Sequence, residues 1–380
     1  MIPPPLHIKV LGVAFNSFHF FGILGYSSGV LLGIFLSYSL GLPVYIIFLM
    51  SGIGALTFFL LAALAKVLTN EETIVYYHHE IAIVLLCGIV LRTIGFPLFP
   101  YLDITILGIG IFLAFGRLGC FSMGCCHGKP SKFGIQYGPD HVRAGFGWYY
   151  QDITLSPVQL IESAYAFLIV ITGTILLNHK AAPGTILVFY TAFYGGLRYF
   201  MEFFRGDAER PYKLGLSEAQ WTTLLLMIVF YVFALMGRLP LYPWHTGILI
   251  LILTASLYMI VRGRKDPVYR LFMPGHVKEL ASGLNQISRD NTLAGIPEYI
   301  PDQEISVYRT RLGLCISNGR YTTGALTINF YTVSSINKKL PLTKRAVTSL
   351  ATLLRTIGHH HPSFQIEEIR NQIFQIFFVD

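Results

Sequence analysis

Four stretches of this chain hold residue types that do chemistry, and each stands where an apolar run begins or ends. In GGLRYFMEFFRGD, Arg198, Glu202 and Arg205 recur at i, i+4 and i+7, which puts all three on one face of a helix. Two guanidiniums held by one carboxylate make a ready anion site. The carboxylate orients the fork, and the remaining N–H donors reach phosphate oxygens. Asp207 closes the stretch. A structural ion pair locking two helices would give the same pattern. In GRLGCFSMGCCHG, Arg117 is followed by Cys120, Cys125, Cys126 and His127 among Gly116, Gly119, Gly124 and Gly128. The glycines allow backbone to approach a ligand closely. The cysteines admit three readings: a zinc site, for which adjacent Cys125 and Cys126 are poorly spaced; a nucleophilic thiolate beside cations; or small residues that let helices pack.

The third stretch, YYHHE, supplies His78, His79 and Glu80. Histidine is the natural base near neutral pH, although Tyr and His also populate the interfacial belt of a membrane protein. The fourth, SPVQLIES, places Gln159 and Glu162 at i and i+3, and GLSEAQW later places Gln220 at a similar span start. Amides there either cap helices or hold a polar head group.

The elements that carry these groups are mostly apolar. Only 13% of the 380 residues are charged, against about 25% in a soluble domain. Mean hydropathy is +0.57. A membrane-spanning helix needs roughly 20 apolar residues. Eight runs qualify: Leu11–Ser37, Pro43–Val67, Tyr77–Phe96, Ile104–Met123, Pro157–Leu177, Gly184–Phe204, Ala219–Met236 and Trp244–Val261. The first lacks a basic leader and a small-residue cleavage site, so it reads as a retained helix rather than a signal peptide. The expected fold is an all-α polytopic membrane protein of seven to eight transmembrane helices, with a small soluble C-terminal α+β domain. The boundaries expected are 1–262 for the membrane part and 266–380 for the soluble part. A charge inside a span is expensive and by default marks a site or a partnered pair. The spans as drawn gather Arg117, His78, His79, Gln159, Glu162, Arg198, Glu202, Arg205 and Gln220 at one membrane surface, a pocket suited to an anionic lipid head group.

Together these motifs resemble the bacterial prolipoprotein diacylglyceryl transferase family. Its first motif, roughly G-R-x-G-N-F-x-N-G-E-x-x-G, is matched by Gly116, Arg117, Gly119, Phe121, Gly124 and Gly128. H-P-S-Q-x-x-E is matched at Pro157, Gln159 and Glu162, and Y-G-x-x-R-x-x-x-E-x-x-R at Tyr194, Gly195, Arg198, Glu202 and Arg205. FHFFGILGYSSGVLLG, with Gly22 and Tyr26, is similar to the family's first helix. The resemblance covers residues 12–237. It implies phosphatidylglycerol, or another anionic phospholipid, as donor, a prolipoprotein cysteine as acceptor and glycerol phosphate as product. Arg117, Arg198 and Arg205 would hold the phosphate, Glu202 would fix Arg198, and His78 or His79 would assist thiol deprotonation. Tyr26, Gly116, Gly119, Cys120, Gly124, Cys125, Gly128, Gln159, Glu162, Tyr194, Asp207 and Gln220 would line the substrate. It implies no cofactor or metal and an inner-membrane, multi-pass protein. The chain departs from the motif at Cys120, Met123 and Cys125, where the family has Asn, Asn and Glu. That keeps open a transfer to another acceptor, and, outside the enzymes, a lipid-binding receptor or transporter.

Charge adds two expectations. The net charge of +8 fits anionic lipid and cytoplasmic basic loops rather than nucleic acid. The positive-inside rule places the pocket on the cytoplasmic side, whereas the resemblance implies an outward-facing site. The five cysteines, Cys87, Cys120, Cys125, Cys126 and Cys315, do not form a disulfide pattern. In the C-terminal part, LGLCIS, ALTINFYTVSS and QIFQIFFV read as strands, and residues 343–358 as an amphipathic helix with Val347, Leu350, Leu353 and Leu354 on one face. Lys338, Lys339, Lys344 and Arg345 read as a solvated basic face, and His359 to His361 as a loop.

Overall fold

The computed structural model describes the chain apart from residues 1–2, 11, 71–73, 209, 291–306, 324–325, 338–339, 359–362 and 380. Lys338, Lys339 and the histidines 359–361 therefore lie outside the described residues. The chain falls into two compact units. The first comprises Met1–Ile135, Leu155–Arg205 and Leu216–Leu257; the second comprises Gln136–Thr154, Gly206–Gly215 and Tyr258–Asp380.

The chain opens with β1 (His7–Val10) and β2 (Val13–Asn16), an antiparallel hairpin. The first helix was expected from Leu11. It starts instead at Ser17, because the Asn16 side chain accepts the Phe18 N–H and caps α1 (Ser17–Ser39). There follow α2 (Tyr45–Thr69), α3 (Tyr76–Thr93), α4 (Leu98–Met123), β3 (Pro130–Ile135), the short α5 (Pro139–Arg143), α6 (Val158–Asn178) and α7 (Thr185–Met201). After β4 (Tyr212–Lys213) and β5 (Leu216–Ser217) come α8 (Glu218–Leu235) and α9 (Pro243–Lys265). Each of the eight expected spans is overlapped by one of these helices, with ends displaced by several residues in α1, α3, α4, α7 and α9. Six of them, α1, α2, α4, α6, α8 and α9, are long and apolar enough to cross a membrane. Two fall outside that set: α3, which opens on Tyr-Tyr-His-His-Glu, and α7, which has 17 residues. These are the helices that carry the histidines and Arg198.

The first unit packs through small residues and one buried acid. A Cβ at Gly29 of α1 would lie 2.9 Å from the Gly108 carbonyl of α4, so these helices touch backbone to backbone. Asp103 of α4 is fully buried; its carboxylate accepts the Gly184 N–H at 2.7 Å and the Leu187 N–H at 2.8 Å. It thus satisfies the otherwise unpaired amides at the start of α7. Around this frame Leu36, Met50, Leu91, Tyr101, Leu107, Ile186 and Tyr190 form the buried core.

In the second unit, α10 (Pro267–Leu271) and α11 (Pro274–Asp290) precede β6 (Tyr308–Arg309), β7 (Leu314–Thr323), β8 (Leu326–Ser335), α12 (Lys344–Ile357), β9 (Phe364–Arg370) and β10 (Ile373–Val379). The strands form an antiparallel sheet ordered β6-β7-β8-β10-β9. The expected helix is α12, with Val347, Leu350, Leu353 and Leu354 buried. The amphipathic α11 was not expected; Val277, Leu280, Ala281, Leu284 and Ile287 form its buried stripe. Its His276 is buried, with Nδ1 2.8 Å from the Leu271 carbonyl and Nε2 3.2 Å from Thr310 Oγ1. A carbonyl only accepts, so Nδ1 carries the proton and Nε2 accepts from the threonine hydroxyl.

Candidate active site

Three helices of the first unit bring their charged ends together. The last two turns of α4 supply Arg117, the first turns of α6 supply Gln159 and Glu162, and the C-terminal half of α7 supplies Tyr194 and Arg198. The helix that was to carry Arg198, Glu202 and Arg205 on one face stops earlier. α7 ends at Met201 with Glu202 as its C-cap. The reason lies in the loop after α4. The Lys129 N–H donates to the Phe204 carbonyl at 2.9 Å and Lys129 Nζ to the Phe203 carbonyl at 2.9 Å, and Gly128 pairs with Arg205 in an isolated β-bridge. Backbone groups beyond the helix end are thereby engaged, and Arg205 leaves the helix in an extended segment.

Arg205 nonetheless stays in the cluster. Glu162 Oε2 meets Arg117 Nε at 2.9 Å, and Glu162 Oε1 meets Arg198 Nε at 3.6 Å. Glu202 Oε1 pairs with Arg198 and lies 3.7 Å from Arg205 Nη1. The Tyr194 hydroxyl donates to Glu162 Oε1 at 2.9 Å. All six side chains are buried; Arg117, Arg198 and Arg205 are only 4–6% exposed. Charges so deep persist only when paired and hydrogen-bonded. Each carboxylate here serves two arginines. Among the described residues, the ion pair of Arg117 runs through Nε, and its terminal Nη groups are not part of that contact.

The network continues through tyrosines. Tyr194 stacks on Tyr190 at 5.3 Å, Tyr190 and Tyr76 share a hydroxyl–hydroxyl hydrogen bond of 2.6 Å, and Tyr77 bonds Thr223 Oγ1 at 2.7 Å. Glu80, one turn on from Tyr76, is buried with Oε2 lacking a hydrogen-bond partner among the described residues. The two histidines part company on α3. His78 is exposed, with Nε2 2.8 Å from Glu218 Oε1. His79 is buried against Phe58, with its ring 4.9 Å away and Nδ1 2.9 Å from the Val75 carbonyl.

The remaining expected residues take other places. Gln159 donates to the Cys125 carbonyl at 2.8 Å and so anchors the loop after α4. Gln220 has its amide committed: it completes a capping box with Ser217 and donates to the Tyr199 carbonyl at 3.1 Å. These contacts are those of a helix cap. Tyr26 is exposed and donates to the Ser51 carbonyl at 3.1 Å. Asp207 lies in the second unit, paired with Arg210 at 3.0 Å. Gly116 has open space where a side chain would be, while Gly119 meets Phe18 and Gly128 meets the Ser156 carbonyl. Gly124 is the left-handed C-cap of α4, and Cys120, Cys125 and Cys126 cluster around it. Tyr190, Thr223 and Asp103 were not picked out from the sequence. Asp103 had a signal, an acid just before a long apolar run. The tyrosines had none, because tyrosine at span ends is ordinary.

The family model described as prolipoprotein diacylglyceryl transferase matches residues 18–236, which takes in every residue of the arginine network. The chain is similar to the phosphatidylglycerol–prolipoprotein diacylglyceryl transferase of Clostridium tetani, 31% identical over 128 residues, 34% of this chain and 49% of that protein. It is similar also to the enzyme of that name numbered 2 from Clostridium perfringens, 29% identical over 131 residues (33% and 47%), and to that of Dehalococcoides mccartyi, 30% identical over 131 residues (34% and 47%). The chain thus spans about half the length of the curated relatives it matches. Since the family match covers more than half of the chain, and its apolar helices make it a multi-pass membrane protein, this chain belongs to the prolipoprotein diacylglyceryl transferase family.

Proposed function

We propose that this protein moves the diacylglyceryl group of phosphatidylglycerol onto the cysteine thiol of a prolipoprotein signal peptide, in the inner membrane. The observation that carries this reading is the buried set Arg117, Arg198 and Arg205 bound by two shared carboxylates. Arginines in a low-dielectric site, with orientation already fixed, stabilise the negative charge that develops on a phosphate leaving group. The reaction forms a sulfur–carbon bond to the terminal glyceryl carbon and breaks that carbon's bond to the phosphate oxygen. The electron pair leaves on glycerol phosphate. His78, with Glu218 on its Nε2, takes the thiol proton. Glu162 and Glu202 hold the arginines rather than touch the substrate. Residues 1–262 carry the reaction, and residues 266–380 form a separate soluble domain.

The test is glycerol phosphate release in nanodiscs containing phosphatidylglycerol, with and without a cysteine-bearing signal peptide. Peptide-dependent release that disappears in Arg198→Ala and falls in His78→Ala, with His79→Ala as the neighbouring comparison, supports the assignment. No release from folded protein overturns it. A second reading, transfer to a different acceptor, is favoured by Cys120, Met123 and Cys125 at motif positions where the family has amides and a carboxylate. Release with a small-molecule thiol or alcohol but not with the peptide would select it.

A further inference from the structure

The last turns of α4 and the loop that leaves it hold three thiols to which the proposed transfer gives no step. The Sγ atoms of Cys120, Cys125 and Cys126 all lie within 4.8 Å of one another. None is in a disulfide. Neighbouring residues such as Cys125 and Cys126 normally point their side chains apart, which is why their sequence spacing looked poor for a metal. The backbone removes that objection. Gly124 takes φ 79° and Cys126 takes φ 56°, so two left-handed residues in three reverse the chain over the end of α4. A left-handed glycine is ordinary, but a left-handed cysteine is a conformation that L residues avoid unless the surroundings hold it. Here the consequence of the turn is convergence: both loop thiols face Cys120, one and a half turns back on the helix.

We propose that Cys120, Cys125 and Cys126 form a three-thiolate site for a single thiophilic metal ion, zinc or copper(I). Zinc–sulfur bonds of about 2.3 Å place ligand sulfurs roughly 3.8 Å apart in a tetrahedral site, so the three thiols need to close by about 1 Å or less from the spacing present. An all-sulfur donor set selects soft or borderline ions over magnesium, calcium and manganese. Copper(I) would take the three sulfurs alone, while zinc would add a water as fourth ligand. The loop is already anchored by its backbone. The Cys125 carbonyl accepts from Gln159, and the Gly128 N–H donates to the Ser156 carbonyl at 3.1 Å. Ligands on a fixed frame lose little freedom on binding. The role is structural. The metal would lock the segment whose Gly128 pairs with Arg205 and whose Lys129 closes α7. The site rests on this geometry and not on the transferase assignment, and it is this chain's own, since Cys120 and Cys125 replace polar residues of the motif.

The test uses the reduced full-length protein in detergent or nanodiscs. Cadmium, as a spectroscopic substitute for zinc, is titrated while the thiolate-to-metal absorption band is followed. Copper(I) is titrated separately against a chromophoric chelator. One ion per chain in either arm, with affinity reduced tenfold or more by each of Cys120→Ser, Cys125→Ser and Cys126→Ser but not by Cys87→Ser or Cys315→Ser, is the expected result. Absence of binding in both arms, or binding unaltered in any of the three variants, overturns the proposal. If those variants do not fold, alkylation of the unmodified protein decides. Cys125 is exposed and should react without metal and be protected by one equivalent of it; equal reaction in both conditions overturns the site. Every readout is metal binding, so the result is independent of transferase turnover.

Discussion

Arg117→Lys separates charge from geometry at the arginine cluster. Lysine keeps the positive charge and nearly the length, but it replaces a planar fork with one nitrogen. Arg117 Nε lies 2.9 Å from Glu162 Oε2, and in the proposed reaction its Nη groups would bind the phosphate. A lysine Nζ must divide itself between Glu162 and the ligand. The loss is one charge-assisted hydrogen bond in the transition state, about 1.5–3 kcal/mol. At about 1.4 kcal/mol per decade, kcat/KM should fall roughly 10- to 150-fold. Folding should change little, because a cation still faces Glu162. Arg117→Ala is a poorer probe, since removing one partner of a buried pair costs about 3–5 kcal/mol in stability and confounds the rate. The assay is glycerol phosphate release in nanodiscs at several phosphatidylglycerol fractions, with thermal unfolding measured on the same preparation. Activity within twofold of the parent, in a lysine variant of unaltered stability, would refute the claim that Arg117 grips the leaving phosphate.

Other outcomes follow from single contacts. Asp103→Ala removes the acceptor of two α7 amides and should lower stability by about 1–2 kcal/mol, read as a drop in Tm in detergent. Gly128→Ala would put a Cβ 2.4 Å from the Ser156 carbonyl; the loop must shift, with loss of about 1–3 kcal/mol and of turnover, and a variant of parental activity would show that the Gly128–Arg205 bridge is dispensable. In the second unit, burial lowers the His276 pKa from its ordinary 6.5. The unfolded state then binds the proton more readily, so this contribution is whole above pH 6.5 and is lost as pH falls from there through the lower folded-state value. Hydrogen exchange of α11 amides at pH 7.5 and 5.5 should show the loss, and His276→Gln should abolish the difference.

How far the sequence revealed this site depended on whether each contact was local. The positions of the eight long helices followed from apolar runs, and Arg198 with Glu202 from a four-residue spacing. The partner of Arg117 was not legible, because Glu162 lies on another helix and only packing selects it. The end of α7 was misjudged for a related reason: Lys129, remote in sequence, engages the carbonyls just beyond it. On α3 the periodicity was informative but unused. Tyr77, Glu80, Cys87 and Leu91 recur at helical spacing and are buried. His78 lies off that stripe. The metal-like convergence of the cysteines depended on the backbone angle at Cys126, which residue types do not specify.

The shared carboxylates also bear on how the protein is made. A lone arginine or acid deep in a bilayer opposes insertion by about 2.5–3.5 kcal/mol at a helix centre, falling towards the ends. Arg117 is synthesised 45 residues before its counter-ion Glu162, and Arg198 another 36 residues after that. During translation α4 therefore presents an unneutralised charge until α6 arrives, and α6 then waits for α7. These helices are best released into lipid as a set. The same ion pairs that build the arginine cluster make it a checkpoint in biogenesis, at which a truncated or mispaired chain would keep a charge that lipid rejects and quality control can recognise.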